Sequence, residues 1–153
     1  MSSNQFSLLI RTFYDLSLDE LYEILRLRQE VFVVEQTCPY MDLDNKDQKS
    51  LHLLGFYGGK IVSYCRLLPE GVSYPGFTSI GRVITSKEVR GYGFGKIMLQ
   101  EAIQTLNKLY PKYPIKIGAQ KYLNEYYASL GFIDQGIEYL EDNIWHIIMV
   151  KYG

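Results

Sequence analysis

One segment restricts this chain more than any other. It is Arg90-Gly91-Tyr92-Gly93-Phe94-Gly95-Lys96, set between a stretch of strand character and an amphipathic helix. Alternate glycines let the backbone bend tightly and leave no side chain between its amides and an approaching ligand. Those amides open at a helix N-terminus, where unpaired N–H groups and the macrodipole supply about half a positive charge. A phosphate or pyrophosphate suits such a turn, and Arg90 and Lys96 would help neutralise it. Two nucleotide-binding patterns fail on single residues. A dinucleotide fingerprint needs glycine where Lys96 stands, and a phosphate-binding P-loop needs glycine at Arg90 and Ser or Thr at Ile97.

The rest of the pattern surrounds this turn with a sheet. Residues 6–14 read as an opening strand. Ser17 and Glu20 form a capping box, after which Leu21, Ile24, Leu25, Arg28 and Phe32 recur at helical spacing, predicting a helix over 18–33. Residues 37–50 are polar, acidic and irregular. Gly58-Gly59 joins two strands, 51–57 and 60–68, as a hairpin. A strand over 78–85 precedes the glycine turn, and Leu99, Ala102, Ile103, Leu106 and Leu109 give the following helix its apolar face before Pro111 stops it. A short buried strand at 115–119, a helix at 121–130 capped by Gly131, and a closing strand at 144–151 complete the order. The expected fold is α/β (α+β): one domain over 1–153, a mixed central sheet with helices on both faces.

Bulk properties exclude several functions. A formal charge of −1 offers no electrostatic footprint for nucleic acid. No run approaches the roughly 20 apolar residues that cross a bilayer, and the opening MSSNQFSLLIRTF lacks the basic start and apolar run of a leader. Cys38 and Cys65 stand far apart with no Cys or His partner at zinc spacing, so no metal is expected. Two thiols in a chain this size suit a reducing cytosol, and the expected location is cytoplasmic.

The turn resembles the R/Q-x-x-G-x-G/A loop of the GNAT N-acetyltransferases, with Arg90, Gly93 and Gly95 at its three defining positions. Asn124-Glu125-Tyr126-Tyr127-Ala128-Ser129-Leu130-Gly131-Phe132 is similar to that family's second signature. Val31 to Tyr40, the acidic Asp42, Asp44 and Asp47, His52-Leu53, and His146 to Met149 extend the resemblance to an ElaA-like subgroup over almost the whole chain. The resemblance implies acetyl-CoA as co-substrate, a primary amine as acceptor and a direct attack in a ternary complex. By the same resemblance Val83, Ile84, Thr85, Arg90, Gly91, Tyr92, Gly93, Phe94, Gly95, Lys96, Asn124 and Tyr127 would hold the cofactor. A Val83–Thr85 amide would polarise the acetyl carbonyl, and Tyr127 would protonate the departing thiolate.

The base is left open. Residues 78–85 carry no carboxylate, where many family members place one, so Glu35, His52, His146 or an ordered water are the candidates. Arg82 either reaches the acceptor cleft or pairs with the acidic segment. Asp42, Asp44 and Asp47 read slightly better as a solvated loop than as an attractor for a cationic amine, and the full calcium-loop pattern is absent. Neither cysteine has an activating neighbour in sequence for a ping-pong route. A non-catalytic acyl-CoA-binding module is the alternative reading, with ATP binding a distant third. The oligomeric state is open, and a homodimer would be unsurprising.

Overall fold

The computed structural model describes residues 5–153; Met1–Asn4, the start of the segment read as lacking a leader, lie outside the described residues. Strand β1 (Ser7–Thr12) leads through a short 3-10 turn to α1 (Leu18–Arg28). The Ser17 side chain accepts from the Glu20 amide, and the Glu20 carboxylate accepts from the Ser17 amide, so the capping box forms as read. The α-helix, however, stops five residues early and rewinds as a π-helix over Gln29–Glu35. The β-branched Val31, Val33 and Val34 fall in this stretch, where χ1 crowding weakens α-helical winding.

Strands β2 (Leu51–Tyr57), β3 (Lys60–Leu68) and β4 (Ser79–Thr85) extend β1 into an antiparallel sheet ordered β1-β2-β3-β4. Gly58 and Gly59 both take positive φ, as a two-residue hairpin with I′ geometry demands. Helix α2 (Phe94–Leu109), β5 (Ile115–Gln120), α3 (Asn124–Ser129), β6 (Ile133–Glu141) and β7 (Ile144–Lys151) follow, with the second sheet ordered β5-β7-β6. The predicted single mixed sheet is thus two antiparallel sheets, whose only parallel bridge among the described residues is Thr78 to Ile115. There the Thr78 amide donates to Pro114 O and the Lys116 amide to Thr78 O. Beyond that bridge β4 and β5 share no ladder.

β6 has no counterpart in the sequence reading. Its side chains are mostly exposed, so no apolar alternation marks it, and Gly136 at φ +75° interrupts it with a bulge. The signal that could have found it is Asp142-Asn143, both at positive φ in the β6–β7 turn.

The larger apolar core joins one face of β2 and β3 (Leu53, Cys65, Leu67) to α2 (Met98, Leu99, Ala102, Leu106) and to β5 and β7. On the opposite face Leu54, Tyr64 and Ile84 pack against Ile24, Leu27 and Val31. Period-2 alternation in β2 and β3 therefore feeds helices on both faces, as expected. No helix among the described residues is long and apolar enough to cross a membrane.

Candidate active site

The divergence of β4 from β5 opens a cleft of about 830 Å³, lined by Ser79–Thr85 on one side and Ile117–Gln120 on the other. Arg90 and Gly95 stand on its wall, as do Tyr126 and Tyr127 from α3. Gly91 (φ +91°) and Gly93 (φ +81°) occupy the left-handed region that glycine tolerates, and Gly93 caps α2. Gly95 is needed for closeness: a Cβ there would press on Thr85 Oγ1 at 3.1 Å. The first turn of α2 carries no acidic residue to oppose an anion. A glycine loop at a helix N-terminus, a basic pair and an adjoining strand edge fit the pyrophosphate and pantetheine arm of a CoA thioester.

The individual residues divide into those on the cleft and those off it. Val83, Ile84 and Thr85 line it, although the Ile84 side chain points into the α1 core. Any contact from Ile84 to a ligand is therefore through backbone. Phe94 is likewise core, stacked on Phe6 with centroids 4.1 Å apart. Tyr92 and Lys96 are exposed near the turn, and Asn124 begins α3 without lining the cleft. Arg90 folds back, donating Nε–H to Thr85 O at 3.0 Å and pairing with Glu35 at 2.7 Å. The π-helix ends at Glu35, so it delivers that carboxylate to the arginine of the glycine loop.

Tyr127 lies at the cleft with its ring in the main core, edge-on to Phe132 at 5.9 Å and to Tyr126 at 5.4 Å. Burial pushes its hydroxyl well above the ordinary tyrosine range, so it holds its proton at neutral pH. His146 also lines the cleft. Its Nδ1 is 2.8 Å from Ile144 O, an obligate acceptor, so Nδ1 is the donor there, and Nε2, 3.9 Å from Glu141, is the acceptor nitrogen of the neutral ring. The imidazole stacks on Tyr139 at 5.3 Å. Burial first, then the charges of Tyr74 and Glu141, push the Tyr139 hydroxyl up to about 12.

His52 sits elsewhere. It is buried off the cleft, with Nε2 2.9 Å from Asp47 O and Nδ1 2.6 Å from the Tyr64 hydroxyl. Both ring nitrogens are satisfied, and burial depresses its pKa. Cys65 is fully buried, and burial drives its thiol far up; Cys38 is half-buried on the cleft wall, with Sγ 3.5 Å from Asp142 O.

The acidic segment is not the solvated loop that its composition suggested. Asp42, Asp44 and Asp47 turn inward onto Arg28, Arg66 and Arg82. Arg82 pairs with Asp42 at 2.8 Å, as one of its two readings expected, and it also lies among the residues lining the cleft. Sequence reading passed over Arg28 and Arg66. The available signal was positional, since Arg28 stands in the apolar stripe of α1 and Arg66 interrupts an apolar strand.

A strand pair that parts over a glycine loop and a buried tyrosine defines an acyl-CoA-dependent acyltransferase site. The chain belongs to the GNAT acetyltransferase family, whose domain model, "Acetyltransferase (GNAT) domain", matches residues 17–152. Its relatives are ElaA-like. It is 39% identical over 139 residues to Protein ElaA of Escherichia coli K12, covering 90% of each chain. It is 43% identical over 139 residues to a UPF0039 protein of Synechocystis, again covering 90% of each. The crystal structure of an acyl-CoA N-acyltransferase from Pseudomonas aeruginosa superposes with a TM-score of 0.91 at 39% identity, covering 97% of this chain and 100% of that one.

Proposed function

We propose that this acyltransferase takes the acetyl group of acetyl-CoA and places it on a primary amine, of a small molecule or a peptide, by direct attack within a ternary complex. The observation that carries this reading is the convergence on one cleft of the α2 N-terminal loop, the β4 edge and a protonated, buried Tyr127. The P. aeruginosa relative, named an acyl-CoA N-acyltransferase, supports an amine nitrogen as the acceptor.

The chain's residues divide the work. Arg90, Lys96 and the amides after Gly93 hold the pyrophosphate, and the β4 backbone from Val83 to Thr85 holds the pantetheine arm. In its neutral form His146 takes a proton from the acceptor ammonium at Nε2, which frees the amine to attack, and Glu141 stabilises the imidazolium so formed. As the C–N bond forms and the C–S bond breaks, a β4 amide within Val83–Thr85 steadies the charge on the carbonyl oxygen and Tyr127 gives its proton to the thiolate. The second proton, shed by the nitrogen as the amide forms, passes through solvent and restores Tyr127. Burial of Cys65 argues against a covalent acetyl-enzyme on that thiol.

A free-thiol assay with acetyl-CoA against polyamines, aminoglycosides, amino acids and lysine or N-terminal peptides tests this. Acceptor-dependent CoA release is expected. Tyr127→Phe is expected to lower kcat by about 10²–10⁴ with acetyl-CoA affinity by calorimetry unchanged. Binding without turnover on any acceptor would favour a non-catalytic acyl-CoA module instead.

A further inference from the structure

The six charges around the acidic segment form a closed ring in which every guanidinium bridges two carboxylates. Arg28 joins Asp42 (2.8 Å) to Asp47 (2.8 Å), Arg66 joins Asp47 (2.8 Å) to Asp44 (2.7 Å), and Arg82 joins Asp44 (3.3 Å) back to Asp42 (2.8 Å). Arg28 and Arg66 are almost wholly buried, and the Arg82 side chain retains 22% exposure, toward the cleft. Three segments are thereby tied together: the C-terminal end of α1, strand β3 and strand β4.

Arg82 has a second peculiarity, in its backbone. It adopts φ +50°, the left-handed region disfavoured for a residue with a Cβ. It does so inside β4, where Tyr64 pairs with Ile84 and Arg66 with Gly81, so Arg82 and Val83 together oppose the single Cys65. This is a β-bulge, and it lies on the stretch of β4 that faces the cleft. A strained backbone persists only when its surroundings over-determine it. What surrounds Arg82 is the ring: its Nη2 also donates to Asp42 O at 2.8 Å, and its guanidinium lies 5.9 Å from the Tyr40 ring centroid.

We propose that Asp42 and Asp44 are positioning residues, which act through Arg82 to hold the β4 bulge in the geometry that aims its amide at the acetyl carbonyl. The inference rests on the acetyl-CoA reading above, and it gives the acidic segment a part in the reaction without contact with either substrate. A neutral Asn at position 42 keeps the volume and the main-chain bond to Arg82 Nη2 but removes the charge beside Arg82 Nε, so the hold on the bulge loosens and it relaxes toward ordinary β geometry. Carbonyl polarisation falls, while the pyrophosphate site at α2 is untouched.

The test uses the full chain with [1-¹³C]acetyl-CoA and isotope-edited infrared spectroscopy, which reads polarisation of the bound thioester without needing an acceptor. In the wild type the carbonyl stretch moves to lower frequency on binding. Asp42→Asn and Arg82→Lys are each expected to lose half or more of that shift when saturated with acetyl-CoA, with occupancy set by calorimetry. With an acceptor from the amine panel, kcat at saturating acetyl-CoA falls by up to about 10²-fold. Folded, acetyl-CoA-bound Asp42→Asn and Arg82→Lys proteins with the wild-type frequency overturn the proposal. So does a wild type that binds acetyl-CoA without any shift, since no amide then polarises the carbonyl. A wild type that fails to bind acetyl-CoA overturns the acetyl-CoA reading instead. If Asp42→Asn does not fold, Arg82→Lys, which keeps the charge but loses the two-sided fork, carries the test.

Discussion

Removing one guanidinium from the ring should destabilise the fold far more than removing a surface ion pair. Arg28→Met is the informative change, since methionine keeps an unbranched apolar stem where Arg28 lies fully buried against Tyr64. The substitution strands Asp42 and Asp47 in an interior that has already stripped them of water. Breaking a buried pair in this way costs about 3–5 kcal/mol, because an uncompensated charge remains. Here each carboxylate keeps a second partner, Arg82 for Asp42 and Arg66 for Asp47, which places the cost near the lower bound, about 3 kcal/mol. For a domain of this size each kcal/mol moves Tm by about 2–4 °C, so calorimetry should show a fall of roughly 6–12 °C. Asp47→Asn in the same chain should then cost less than it does alone, by about 0.5–3 kcal/mol of coupling. A Tm for Arg28→Met within about 2 °C of the wild type, the smallest shift expected from about 1 kcal/mol, would refute the reasoning. The carboxylates would then be reached by water once the guanidinium is gone, and not stranded as buried charges.

Acid should act in two steps. Burial depresses His52, so the unfolded chain binds a proton the folded one refuses, and stability present above about pH 6.5 is lost as pH falls below it. Burial alone would raise Asp44 and Asp47, but hydrogen bonds from Arg66 and Arg28 outweigh it and hold both below the usual range. Their contribution is therefore complete above about pH 4 and fades below it. Tm against pH should show both steps, with the upper one missing in His52→Gln. At the phosphate loop, Glu35 competes for Arg90 in a half-exposed pair worth about 0.2–1 kcal/mol. Glu35→Gln should tighten CoA binding by roughly 1.5- to 5-fold in calorimetry, and weaker binding would mean that Glu35 instead pre-positions Arg90. Gly118→Ala would drive a methyl into the Tyr139 hydroxyl, costing about 1–3 kcal/mol, a fall in Tm of roughly 2–12 °C. It should also raise the acceptor KM, since Tyr139 stacks on His146, while CoA affinity stays fixed.

What could be read in advance follows from how local each feature is. The capping box at Ser17, the hairpin at Gly58-Gly59 and the loop at Arg90–Lys96 are decided within a few residues, and each forms where its residues stand. The cleft residues on β4 and α3 were legible because a family pattern marks them. β6 was not, because a half-solvated edge strand with a glycine bulge has no apolar alternation. The end of the α-helix at Arg28 was misplaced because the apolar spacing runs on to Phe32 while the winding changes beneath it. The ring was the largest miss. Its six members are spread from residue 28 to residue 82, and charge pattern along a chain says nothing about which arginine meets which aspartate.

That miss bears on how the site is built. A cleft made by parting two strands has no ladder across it, so the strand on each side must be held from behind. β5 is held by β7, its antiparallel partner along its full length. β4 has β3 behind it, but the bulge interrupts that ladder at residues that line the cleft. An apolar contact at Arg82 could fill space there without fixing a direction. The planar guanidinium of Arg82, bonded to the Asp44 carboxylate and the Asp42 carbonyl with the Asp42 carboxylate beside it, fixes both position and orientation, because its donors are rigidly arranged. The charges cost solvation when buried, and a hydrophobic replacement of the whole ring could match its stability. It would not reproduce the orientation, and on a strand edge that must aim an amide at a carbonyl, orientation decides the rate.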